Sequence, residues 1–387
     1  MTKSHAAWRD QQTIELHGLR VTLSEPVAIG HSRGYFWFPN IWRMPNGDLL
    51  STISPVADIH MSSIPYLVTW SRDGGLTWSE PIVTNDGGQT LLQLTNGDAI
   101  LLPYDLRPRT NGIGAPYNRI PAGTREVHYV ASGVLVTGLP GPDKTVIPGL
   151  DMAGFSFNGQ AITLTDGSYL TTLYGELVEP TGYRIYAVKS VDGVNWQIDA
   201  LIVDKDCGVA PPPPTANPGP TESAILRLQD GRIMCVFRVA STVNFGQCFS
   251  SDEGKSWSAP IFMDGPFSVQ PGLAMLADGT VALSGGRPGL HLWLNADGRG
   301  LTWQGIDMQA HHNGCFPNET IVTDLERNHD KQTSAYTEVI AVDETHFLYL
   351  YDRAANGWKP IPESMDDTNS VWLVRVTVEQ TGETTNG

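Results

Sequence analysis

One phrase constrains this chain more than any other: Ser71-Arg-Asp73-Gly-Gly75-Leu-Thr77-Trp78 returns as Ser250-Ser-Asp252-Glu-Gly254-Lys-Ser256-Trp257. Both copies read Ser-x-Asp-x-Gly-x-Thr/Ser-Trp. Those residue types specify a hairpin turn in which a short carboxylate accepts from nearby amides, a glycine permits a left-handed residue, and the tryptophan packs beneath. Ser190-Val-Asp192-Gly-Val-Asn195-Trp196 is a copy one residue shorter, and Asn295-Ala-Asp297-Gly-Arg-Gly-Leu-Thr302-Trp303 is one longer. Four copies of one turn predict a chain assembled from repeated β units. Such turns are structural and carry no chemistry of their own.

A second repeat counts the units. Apolar runs flank the turns Asn46-Gly47, Asn96-Gly97, Asp166-Gly167, Asp230-Gly231 and Asp278-Gly279, with a degraded sixth at Asp343-Glu344. Asn-Gly and Asp-Gly between apolar runs are the strongest short hairpin signal. Their spacing of roughly 50 to 70 residues suits one four-stranded blade with its loops, so six turns predict six blades. The two repeats together resemble the Asp-box repeats of the sialidase superfamily. That resemblance implies an all-β, six-bladed β-propeller of sialidase type, with Trp78, Trp196, Trp257 and Trp303 on outer hairpins remote from any pocket. The expected layout is a single domain, 1–387, with 1–25 as an N-terminal strand or extension and 376–387 as a flexible tail.

Composition narrows the partners. A net charge of −16 spread along the chain repels polyanions, which argues against nucleic acid or an anionic membrane surface. No apolar run approaches a membrane span, so no membrane insertion is expected, and no helix-period stretch stands out. The opening Met1-Thr-Lys-Ser-His lacks the apolar core of a signal peptide. The expectation is a cytoplasmic protein, or a secreted or periplasmic one if a leader has been removed. Cys207, Cys235, Cys248 and Cys315 lack metal-ligand spacing and are expected to serve in packing; Cys235 and Cys248 should fall on neighbouring strands, where a bridge is the alternative. His311 and His312 are adjacent, and in an extended chain they would point opposite ways, so no metal pair is expected. Neither metal nor cofactor is expected. Asn318-Glu-Thr320 is a glycosylation sequon, and 210–220 is a proline-rich connector.

The repeated turn also locates a site. If each turn closes the two inner strands of a blade at one end, residues seven to nine positions away lie at the other end, about 25 Å off at ~3.3 Å per residue. That offset selects Trp37 and Asp58; Tyr104, Asp105 and Arg107; Asn158, Tyr174 and Glu176; Glu222 and Arg238; Gln270 and Arg287; Tyr336 and Glu338. So many polar, aromatic and ionisable residues predict a pocket. The sialidase resemblance implies a terminal sugar of a glycan as the partner.

The sialidase resemblance assigns roles within that set. Thr221-Glu222 followed by Arg238 is similar to the segment holding the family's glutamate base and a triad arginine; Val269-Gln270-Pro271 with Gly286-Arg287-Pro288 resembles the segment of a further triad arginine. Ser334-Ala-Tyr336-Thr-Glu338 resembles the stretch with the nucleophilic tyrosine. Asp58 stands where the family keeps its acid/base aspartate, with His60 as an alternative donor. Phe36-Trp37-Phe38-Pro39 departs from the family, which has an arginine at the Trp37 position. An indole offers an apolar plate in place of a bidentate fork, so carboxylate grip falls unless Arg33 or Arg107 replaces it.

The chemistry expected is an exo-acting glycoside hydrolase that removes a terminal sugar other than ordinary sialic acid. Tyr336 with Glu222 would serve as the nucleophile pair and Asp58 as acid and base. Trp37, Arg33, His60, Tyr104, Asp105, Arg107, Tyr174, Gln270, Arg238 and Arg287 would contact substrate. The sugar is either a neutral deoxy sugar or a sugar acid held by Arg238 and Arg287. Two other readings stay open: a propeller-fold lyase acting on uronate-containing glycans, and a non-catalytic carbohydrate-binding propeller. Each residue also has a structural reading, above all Glu222 with Arg238 as an ion pair joining two strands.

Overall fold

The computed structural model describes residues 7–58, 65–85, 88–109, 111–138, 154–177, 182–205, 219–324, 329–330 and 332–382. His60, Cys207 and the proline run 211–218 lie outside them. The chain is all-β, with one short helix among the described residues, Met308–Cys315.

Each predicted turn closes a hairpin in the same way. Met44 N–H donates to the Asp48 carbonyl at 2.8 Å and Gly47 N–H to Met44 at 2.9 Å; Leu94/Asp98, Leu164/Ser168, Leu228/Arg232 and Leu276/Thr280 repeat the pair. The turn carboxyl or amide accepts the amide two residues on, as in Asp48 N–H to Asn46 Oδ1 at 3.1 Å and Thr280 N–H to Asp278 Oδ1 at 2.8 Å. Gly47 at φ +85 shows why glycine follows: a left-handed residue is needed to return the chain into the partner strand. The sixth turn keeps the Val342–His346 bond but has Thr345 where the others have glycine, and Asp343 Oδ1 accepts from both Thr345 N–H and His346 N–H.

By contact density the chain divides into two compact units. The first holds 1–58, 67–82 and 264–387. Its six-stranded sheet orders Asp10–Leu16, Leu19–Ser24, Asn369–Gln380, His346–Arg353 and Glu338–Ala341, with Val27–Ser32 also on Asn369–Gln380. Thus both ends of the chain share one sheet: Val21 pairs with Val378 and Leu23 with Val376. The expectation of a flexible tail from 376 is corrected here. Residues 376–380 are strand, and Val376 and Val378 are buried because their alternate positions face the core. A second sheet begins with Trp37–Arg43, Leu49–Ser54 and Leu67–Ser71, and a third comprises Gly272–Met275, Val281–Gly286, Leu290–Asn295 and Gln304–Asp307. Buried Leu, Val, Phe and Tyr from the first and third sheets form one core, and Ile41, Leu49 and Ile53 pack with Leu348, Leu350 and Leu373 in another.

The second unit holds 59–66 and 83–263. Its nine-stranded sheet joins two groups edge to edge through a parallel pairing of His128–Thr137 with Asn195–Val203. A further sheet orders Thr221–Arg227, Ile233–Arg238 and Asn244–Ser250 before Ile261–Phe267. Cys235 and Cys248 are directly paired across its strands and are free, buried thiols.

The tryptophan turns are built as their residue types predict. In the first, Asp73 Oδ1 accepts Thr77 N–H at 2.9 Å, Ser71 Oγ accepts Gly75 N–H at 2.8 Å, and Trp78 Nε1–H donates to the Gly75 carbonyl at 3.0 Å. Trp196 and Trp257 make the same bond to Gly193 and Gly254 at 3.0 and 2.9 Å. In the longest copy Asn295 replaces the serine, accepting Gly300 N–H at 3.0 Å and donating to Asp297 at 2.8 Å.

The short helix corrects one expectation. His311 and His312 sit on a helix, where successive side chains point about 100° apart, rather than in an extended segment. All four ring nitrogens are engaged: His311 with Gln12 and the Ser24 carbonyl, His312 with Tyr351 and the Glu319 carbonyl. Burial lowers the pKa of both rings, His312 to about 4.

Candidate active site

In the first unit an aromatic and charged cluster gathers around Tyr336. The strand Trp37–Arg43 opens with a bulge, where pairing slips between Trp37/Ser54 and Asn40/Thr52, and Phe38 takes φ +49. Bulges re-aim side chains. Here the bulge sets the Phe38 ring edge-on to Tyr336, centroids 4.7 Å apart. The Arg287 guanidinium lies 5.5 Å from the Tyr336 ring centre and 5.1 Å from that of Trp358, and its Nη2 donates to the Ser334 carbonyl at 2.7 Å. Its buried Nε has no hydrogen-bond partner among the described residues. A buried donor left open in a cation–π sandwich is a place for a ligand acceptor.

Backbone strain concentrates at the same residues. Phe38, Gln270 at φ +37, Arg287 at φ +85 and Ala335 at φ +59 all occupy the region that non-glycine residues avoid. Such strain persists only where surrounding structure over-determines it, and it clusters at functional sites. Asp352 is that surrounding structure for two segments. Fully buried, it accepts from Phe38 N–H at 3.1 Å, from Ser334 N–H at 2.7 Å and from Thr333 Oγ1 at 2.8 Å, and also from the Ser334 hydroxyl. Burial raises its pKa against the opposing pull of those donors. Glu338, two residues beyond Tyr336, is pushed up to about 8 by burial, with only the Val339 amide opposing.

The sequence-predicted contacts fare unequally in this unit. Gln270 is buried and donates to Asn40 Oδ1 at 3.3 Å. Asp58 is exposed on the segment following Leu49–Ser54. Arg33 donates to the carbonyls of Pro362 and Met365 at 2.6 and 3.2 Å, which ties it to that loop. Trp37 does not offer the plate expected of it. Its indole is 3 % exposed, stacked on Tyr35 at 5.2 Å and edge-on to Trp358 at 5.6 Å, and its N–H is spent on the Val56 carbonyl at 2.7 Å. Apolar packing was available to a ring here, and it won over exposure. The half-buried rings in this cluster are Tyr35, Tyr336 and Trp358.

In the second unit Glu222, at φ +37 on another bulge between Thr221 and Ser223, pairs with Arg238 through Nη1 at 2.7 Å; Arg238 Nη2 reaches Ser241 Oγ at 2.9 Å. Both side chains are over nine-tenths buried. The pair matches the structural reading in geometry, and it also leaves less of the Arg238 fork for a substrate carboxylate. Tyr104 and Tyr174 share a hydroxyl–hydroxyl bond of 2.6 Å. Asp105 pairs with Arg107 at 2.7 Å, yet burial still raises its pKa. Asn158 donates to Gln89 at 3.1 Å and Glu176 accepts from Gly182 N–H at 3.0 Å. Burial, with the charges of Glu176 and Glu222, raises the pKa of Tyr183.

Sequence reasoning missed Tyr35, Trp358, Asp352 and Tyr183. Trp358 lies in an irregular segment after His346–Arg353, outside any repeat offset. Asp352 reads as one more residue of an apolar strand, and only its partners distinguish it.

No family model and no curated protein matches the chain. Solved structures do. A protein of unknown function from Dyadobacter fermentans DSM 18053 aligns at 16 % identity over 94 % of this chain and 100 % of its own, TM-score 0.66. The NanB sialidase of Streptococcus pneumoniae aligns at 16 % identity over 92 % of this chain and 70 % of its own, TM-score 0.56. An α-L-arabinanase of Penicillium chrysogenum aligns at 16 % identity over 90 % and 97 %, TM-score 0.53. At these identities the likeness concerns the fold, an all-β propeller architecture.

Proposed function

We propose that the chain is a single six-bladed propeller carrying Asp-box turns on its outer hairpins, and that it is an exo-acting glycoside hydrolase removing a terminal sugar other than ordinary sialic acid. The observation that supports this best is Tyr336, half-buried beneath the Arg287 guanidinium on a strained backbone held by Asp352. A guanidinium over the ring holds the phenol in place, and a tyrosine nucleophile needs that fixed orientation.

The motif assigns Glu222 to take the phenolic proton and Asp58 to protonate the leaving oxygen. The Tyr336 oxygen would bond to the anomeric carbon as the bond to the aglycone breaks. Water, deprotonated by Asp58, would then displace the tyrosine. Two displacements preserve the anomeric configuration.

A neutral sugar suits the residues better than a sugar acid. An indole stands at the Trp37 position, Arg33 is tied to its own loop, and Arg238 is engaged by Glu222 and Ser241. Among the structural neighbours, the Penicillium protein is described as complexed with arabinobiose. The test is a screen of the purified protein against terminal α- and β-linked pentosides, deoxyhexosides, sialosides and uronate-containing glycans. A released reducing sugar from a neutral glycoside supports the reading. Ultraviolet absorbance of a new double bond would replace it with the lyase, and binding without turnover would replace it with the lectin-like module.

A further inference from the structure

A cleft of about 390 Å³ opens beside the turn that carries Arg287. It lies within the first unit and is lined by Phe267, Pro288, His291, Asp307, Gln309 and Asn313, among others. The turn is tight: Arg287 N–H donates to the Gly289 carbonyl at 3.2 Å, and Gly289 sits at φ +86. A side chain at 289 would come within 3.1 Å of His291 Nε2 and 3.3 Å of Gln309 Oε1, so the glycine keeps the cleft open.

The wall of the cleft is aromatic. His291 stacks on Trp293 at 5.3 Å, and Phe267 meets both rings edge-on at 5.1 and 5.4 Å. Acceptors lie beside these rings. His291 and Asp307 are direct cross-strand partners. Asp307 Oδ1 caps the helix by accepting Ala310 N–H at 2.8 Å, while its other oxygen accepts nothing among the described residues. Gln309 spends its Nε2 on the Ile321 carbonyl at 3.0 Å, and its carbonyl oxygen accepts nothing among the described residues; Asn313 is fully used by the Ile321 backbone. Burial lowers the pKa of His291, and a neutral imidazole carries one accepting nitrogen.

We infer that this cleft is a second sugar subsite, for a neutral pyranose or furanose ring of the same glycan chain. A ring edge or face for C–H groups beside acceptors left open among the described residues matches a sugar, whose hydroxyls are donors in search of acceptors. The same acceptors disfavour phosphate and carboxylate. No group of three or more metal-ligating side chains lies among the described residues, so a bound cation is the weaker match. The inference rests on the carbohydrate-active reading and adds that affinity depends on chain length.

The experiment measures binding separately from turnover. Neutral pentose and hexose oligosaccharides, from mono- to pentasaccharide, are titrated calorimetrically into the full chain, into Phe267→Leu and into Asp307→Asn, which keeps the helix cap. Longer oligosaccharides should bind more tightly than monosaccharides, and Phe267→Leu should erase about tenfold of that gain while leaving monosaccharide binding unchanged. Asp307→Asn should weaken the longer chains only. Equal affinity for long and short chains, or two variants that bind like the parent, overturns the subsite. Turnover of glycosides with no dependence of KM on chain length and no effect of Phe267→Leu also sinks it, while leaving the hydrolase reading intact. Length-dependent binding lost in Phe267→Leu, without turnover of any glycoside, supports the subsite and defeats the hydrolase reading.

Discussion

Two buried carboxyls, Glu338 and Asp352, are the most exacting residues of the candidate site. Glu338 holds its proton in the folded state up to about pH 8, whereas the unfolded chain releases it near 4.5. The folded state therefore binds the extra proton between those values, and that contribution to stability is full below about 4.5 and declines as pH rises toward 8. Glu338→Gln should flatten this decline and raise Tm at pH 8 more than at pH 5, as thermal melts across that range would show; an equal shift at both pH values would contradict it. Asp352 satisfies four donors from Thr333, Ser334 and Phe38, and Asp352→Ala strands them, at a cost of about 2–4 kcal/mol. Denaturant midpoints check this. At this scale the sequence was only partly legible. The motif pointed to Tyr336 and Arg287, which do meet. It misplaced the face of Trp37, because exposure of a ring depends on neighbours such as Tyr35 and Trp358 that no repeat predicts.

Elements were the most legible scale. Asn-Gly and Asp-Gly turns encode local geometry in adjacent residues, and five of them close identical hairpins. The bulges at Phe38 and Glu222 were not legible, since nothing in Trp37-Phe38-Pro39 or Thr221-Glu222-Ser223 announces a positive φ. Two glycines separate backbone cost from packing. Gly47, at φ +85, has nothing within 4 Å of the position a Cβ would take, so Gly47→Ala should cost about 1 kcal/mol from conformation alone. Gly75, at φ +99, would place that Cβ 2.6 Å from Leu373 Cδ2, so Gly75→Ala should cost measurably more. Urea unfolding of the two variants compares them, and equal midpoints would show that the Leu373 contact relaxes freely.

For the whole molecule, the repeat count predicted an all-β chain, but not how its ends are used. Residues 19–23 pair with 376–380, a long-range pairing invisible to local pattern. Truncation from residue 376 should therefore lower Tm sharply and expose Leu19, Val21 and Leu23, in contrast to the mild effect expected of a loose tail; an unchanged melt would contradict a structural role for this pairing. The function proposed for the assembled chain turns on a single oxygen. Tyr336→Phe keeps the ring that packs against Phe38 and Arg287 and removes only the atom proposed to attack. Assayed on a neutral glycoside that the parent hydrolyses, it should retain the parent's Tm and ligand affinity while losing turnover by about three orders of magnitude or more. Turnover within a few-fold of the parent would show that Tyr336 is a packing residue and that the nucleophile lies elsewhere.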